Sequence, residues 1–72
     1  MATMVSNWLM INYKLVNLNL VKGISHSENS ITVEFASGQE VILFNNTADA
    51  EREFERLKKM LINTNKKIPL NG

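Results

Sequence analysis

Between Ala48 and Ile62 the apolar residues Ala50, Phe54, Leu57 and Leu61 recur at spacings of four, three and four. That period places them on one stripe of a helix, and the pattern predicts a helix over 47–62. Asn46 or Thr47 can cap its start by accepting from a free backbone amide, and Asp49 and Glu51 stand where the positive end of the helix dipole favours anions. Lys58 and Lys59 are expected near the negative end, the complementary arrangement. Asn63, Thr64 and Asn65 break the stripe, so residues 63–72, with Pro69, read as a flexible or extended tail.

Upstream the period changes to two. Ile31-Thr-Val-Glu-Phe35 alternates apolar with polar, and Glu40-Val-Ile-Leu-Phe44 is a second run of strand formers. Ala36-Ser37-Gly38-Gln39 lies between them, with Gly38 expected to supply a positive φ, so the two runs predict a hairpin. A two-residue loop at Ser37 and Gly38 puts Ile42 and Phe44 on the face of Ile31, Val33 and Phe35. A three-residue loop puts Val41 and Leu43 there instead, and the sequence leaves both open. Either way one pair of large apolar residues faces away from the helix.

From Trp8 to Ile24 the chain is rich in strand formers, interrupted at Asn12, Asn17, Asn19 and Gly23, which suits one bent strand or two short ones. The polar run Ser25-His26-Ser27-Glu28-Asn29-Ser30 reads as the turn that separates it from the hairpin. The expected fold is therefore α+β: a small antiparallel meander of three or four strands across 8–44, with one C-terminal helix packed on one face. Seventy-two residues make this a single domain, 1–72.

Composition changes the picture in two ways. There is no cysteine, which removes disulfides, thiolate metal clusters and a cysteine nucleophile. Eight Lys and Arg against seven Asp and Glu leave a net charge of +1, so no strong basic surplus points to nucleic acid. The C-terminal third is nevertheless locally basic, at Arg56, Lys58, Lys59, Lys66 and Lys67. The apolar run at Trp8-Leu-Met-Ile11 is too short for a membrane span or a secretory core, so no membrane association and a cytoplasmic location are expected.

The chemistry-bearing residues are few. One histidine, His26, cannot assemble a metal site from its own chain without converging carboxylates, and it reads as a solvated turn residue; no metal and no cofactor are expected. Ser25, Ser27 and Ser30 surround it in sequence, but a nucleophile needs convergent base and orienting groups rather than chain neighbours. Glu34 and Glu40 flank the hairpin and are read as solubilising strand residues. The only strand-to-helix junction, Phe44-Asn45-Asn46-Thr47, contains no glycine, which argues against a phosphate loop. No enzymatic activity is expected.

What remains is association. An apolar sheet face that one helix cannot cover, together with the small core of a short chain, predicts a self-associating protein-interaction module, a homodimer foremost. The candidate interface residues are Trp8, Met10, Ile11, Ile42 and Phe44. The alternative is a nucleic-acid-binding accessory protein that contacts phosphates through Arg56, Lys59, Lys66 and Lys67.

Overall fold

A computed structural model of the chain describes residues 3–64 and 67–71. It is an α+β fold with a single helix, built as a three-stranded antiparallel sheet followed by a four-stranded mixed sheet. The first sheet holds β1 (Thr3–Val5), β2 (Trp8–Ile11) and β3 (Lys14–Asn17) in that order. A single 3-10 turn at Leu18–Leu20 leads into β4 (Val21–Ser27), β5 (Ser30–Phe35) and β6 (Gly38–Leu43). The helix α1 (Thr47–Asn63) follows, and β7 (Leu70–Asn71) returns to pair with β4, giving the second sheet the order β6-β5-β4-β7.

The α+β class with one C-terminal helix is as expected, but in place of a single meander of three or four strands the described residues form seven strands in two sheets. The extra strands come from tight turns that polar pairs permit. Ser6-Asn7, Asn12-Tyr13 and Glu28-Asn29 each close a hairpin, and the first residue of each has a positive φ of 57°, 58° and 52°. That sign of φ matches the turn to the right-handed twist of the flanking strands. Ser25, His26, Ser27 and Ser30, expected in the turn, are strand residues, so only Glu28 and Asn29 turn.

The hairpin between β5 and β6 resolves the open register. Phe35 pairs with Gly38, so Ala36 and Ser37 form the loop, one position earlier than expected. Ile42 then sits opposite Ile31, on the same face as Val33, and both Ile42 and Ile31 are fully buried. Val41 and Leu43 take the outward face. Gly38 has φ +154° with open space where a Cβ would lie, so the backbone alone demands glycine there.

The helix forms where the period-3.6 stripe predicts, one residue longer. Asn46 is its cap, its side chain accepting from the Asp49 amide at 2.8 Å. Because the helix runs to Asn63, Lys58 and Lys59 fall short of the last turn, which has no basic residue. Thr64 does that work instead, its hydroxyl donating to the Met60 carbonyl at 2.8 Å. Ala50, Phe54, Leu57 and Leu61 are all buried.

One core joins these pieces. Leu9, Ile11, Val16 and Leu18 from the N-terminal part meet Ile24, Ile31, Val33 and Ile42 of the second sheet and Phe54, Leu57 and Leu61 of the helix. The helix packs over β4 and β5, and the first sheet closes the remaining side. One polar contact crosses that closure, Lys14 Nζ lying 3.9 Å from Glu40, while the Leu18 amide donates to the Asn7 carbonyl at 2.8 Å and so extends the β2–β3 ladder by one position. At the far end Asn29 clamps β6, its carbonyl accepting from the Phe44 amide at 2.8 Å and its side-chain amide donating to the Phe44 carbonyl at 3.2 Å. The residues beyond the helix, read from sequence as a tail, include β7, whose Leu70 packs against the core together with Ile68 before it.

Candidate functional site

The outward face of the first sheet is the most unusual surface of the molecule. Pairing puts Val5 opposite Trp8 and Met10 opposite Leu15, and alternation along β2 carries Trp8 and Met10 to the same side. These four side chains are 70%, 47%, 46% and 61% exposed. Their strand neighbours Leu9, Ile11 and Val16 are buried on the inner face. The sheet is therefore apolar on both sides, whereas a sheet with one wet face ordinarily alternates apolar with polar. Polar residues border the four at two register positions, Thr3 opposite Met10 and Asn17 opposite Trp8, the Asn17 side chain accepting from the Asn19 amide at 3.0 Å.

Of the five interface candidates read from sequence, Trp8 and Met10 are exposed on this face. Ile11 and Ile42 are not on the surface at all: both are fully buried core residues. The physical reason is the register, since a period-two strand sends neighbours to opposite faces and the observed pairings turn Ile11 and Ile42 inward. Phe44 is half-buried and packs against the same core. The residues that the sequence reading missed are Val5 and Leu15. Their signal was present: uninterrupted apolar runs on either side of a polar pair mark strands with two apolar faces, and the pairs Ser6-Asn7 and Asn12-Tyr13 set the register.

The outward face of the second sheet differs. It carries Ser25, Thr32, Ser30 and Glu34 with Val41 and Leu43 at its margin, the last two 46% and 62% exposed.

The basic residues of the alternative reading are divided between the helix and the segment beyond it. Arg56 is half-buried and Lys59 exposed on the helix, Lys67 is exposed beyond it, and Lys66 lies outside the described residues. Two other basic side chains of the helix are paired with acids, Arg52 with Asp49 at 3.2 Å and Lys58 with Glu55 at 3.1 Å. Exposed pairs of this kind contribute at most about 1 kcal/mol, yet they leave less uncompensated positive charge for a phosphate backbone.

His26 is not a solvated turn residue. It sits half-buried on β4, its ring stacked on Phe54 with centroids 5.4 Å apart, and its Nε2–H donates to the Glu28 carbonyl at 3.0 Å. The Ser30 hydroxyl donates to the Ser27 carbonyl at 2.9 Å, so it is engaged with backbone and not with the imidazole. Glu34 and Glu40 occupy opposite faces, since Glu34 pairs with Gln39 and Glu40 with Val33. Among the described residues no three metal-ligating side chains converge. A cleft of about 270 Å³ opens beside the helix start, between Asn12 and Arg52, and the Asp49–Arg52 ion pair lies on its wall. Among the described residues no helix is long and apolar enough to cross a membrane.

No protein-family model, curated protein or solved structure matches the chain.

Proposed function

We propose that the protein is a non-enzymatic interaction module that self-associates through the outward face of its first sheet. The observation that carries this reading is the set Val5, Trp8, Met10 and Leu15, four large apolar side chains from three adjacent strands, all substantially exposed on one face. Contiguous apolar surface of that kind on a soluble protein marks a contact site.

A second copy is the favoured occupant. None of the four residues is charged, so two copies can meet face to face without like-charge repulsion, and a patch brought against itself by a two-fold axis closes without leaving a further binding surface. Two twisted antiparallel sheets pack well in that way. Trp8 stands between Val5 and Asn17 on the central strand of the sheet. It is the expected anchor, because a buried indole contributes a large apolar area at small entropic cost.

Light scattering over a dilution series tests this directly. Wild-type protein is expected at twice the chain mass at tens of micromolar, on the order of the concentrations at which modest interfaces form. The double variant Trp8→Glu, Met10→Glu is expected at the chain mass with an unchanged circular dichroism spectrum. A wild type that stays monomeric up to about 1 mM, a weak limit even for transient contacts, would overturn the reading, as would a folded double variant that keeps its dimer.

A further inference from the structure

The strand β7 is attached differently from every other strand. The other four pairings are antiparallel and join neighbours in sequence, each through a two-residue turn. β7 instead adds in parallel to the free edge of β4, with Leu70 opposite Ile24 and Asn71 opposite Ser25. The Ile24 amide donates to the Pro69 carbonyl at 2.9 Å. Lys67, Pro69 and Asn71 are exposed while Ile68 and Leu70 are half-buried against the core, so the segment reads as an extended strand with one apolar side.

The acceptor edge is larger than the strand that fills it. β4 runs over seven residues, and among the described residues β7 pairs with Ile24 and Ser25. At Gly23 the two backbones lie side by side, the Pro69 carbonyl falling 3.6 Å from where a Cβ would stand, an ordinary contact distance. β7 pairs with the β4 edge, and Ile68 and Leu70 pack on the core; neither contact depends on the segment belonging to the same chain. Exchange of an identical element between copies then keeps every contact and changes only the connection, which is why strand exchange is a low-cost route to dimers.

We propose that 67–71 is an exchangeable strand and that the β4 edge is its acceptor site, filled within one chain or by the same segment of a second copy. The occupant is defined by the segment already seated there: an extended stretch with aliphatic residues at alternate positions and a carbonyl presented to the Ile24 amide. This contact is separate from the sheet-face contact, on which it does not rest.

The absence of cysteine makes the test clean. Ser25 and Asn71 are register partners, so cysteines placed there are close enough to form a disulfide when β7 is seated. The double variant Ser25→Cys, Asn71→Cys is expected to close within one chain. Mixing the single variants Ser25→Cys and Asn71→Cys and incubating under mild oxidation is expected to yield a disulfide between chains, identified by peptide mapping. Its yield should exceed by at least about tenfold that of Ser25→Cys mixed with Ser37→Cys, because a seated strand raises the local thiol concentration to the millimolar range. Equal yields in the two mixtures would overturn the proposal. So would failure of the double variant to close, since the edge contact itself would then be missing. Trp8→Glu is expected to leave the cross-link unchanged, so the two contacts fail separately.

Discussion

The two sheets use the same alternation and spend it differently. In the second sheet the inner residues Ile24, Ile31, Val33 and Ile42 are buried and the outer ones are largely Ser, Thr, Glu and Gln. In the first sheet the inner residues Leu9, Ile11 and Val16 are buried as completely, yet the outer ones are Val5, Trp8, Met10 and Leu15. The second sheet has the residue distribution of a surface facing water. The first has that of a layer with contacts on both sides. On the proposed function, fold maintenance and contact formation would be separated between the sheets: the core is made jointly, but the large outward residues Val5, Trp8, Met10 and Leu15 of the first sheet are all apolar, whereas those of the second include Glu34 and Gln39.

That separation can be broken most severely at the core. Phe54→Ala removes a buried ring that touches His26 and the aliphatic cluster, and it should cost about 3–5 kcal/mol, measured by urea unfolding. If the variant lost less than about 1 kcal/mol, a typical surface effect, the helix would not be part of the shared core. Trp8→Glu addresses the other side of the comparison. Self-association should weaken at least tenfold, about 1.4 kcal/mol, while the urea midpoint of the monomer barely moves. A large loss of monomer stability would place Trp8 in the fold instead of at the contact.

Smaller effects sharpen the picture. Asn46→Ala deletes the helix cap and should cost about 1 kcal/mol without changing self-association, read from thermal melts and scattering together. Asn29→Ala should cost about the same, since it removes the side-chain bond to the Phe44 carbonyl. Smallest is Val41→Lys on the second sheet's margin, expected within about 0.5 kcal/mol of wild type and without effect on the dimer. A dimer lost in Val41→Lys but kept in Trp8→Glu would move the contact from the first sheet to the second.

Much of the fold was legible in the residue pattern because it depends on local periods. The stripe Ala50, Phe54, Leu57, Leu61 and the cap at Asn46 define the helix, and the alternation from Ile31 to Phe35 defines a strand whatever lies around it. Hairpin loops were harder. Whether Gly38 lies inside the loop or opposite Phe35 depends on a difference of one residue, and the turns led by Ser6 and Glu28 carry no glycine to announce them. The paired strand at Leu70–Asn71 was illegible for another reason: two residues have no period, and what makes them a strand is the edge of β4 beside them.

The candidate contact surface divides along the same line. Sequence alone determined that apolar residues exceed what one helix and one sheet face can bury, because that follows from counting runs such as Trp8 to Ile11. Tertiary structure decided which of them stay outside. The pairing register sends Ile11 and Ile42 into the core and leaves Val5, Trp8, Met10 and Leu15 facing out. Register is a long-range property, set by which strands meet and how the turns close, and a one-residue slip would exchange the two faces.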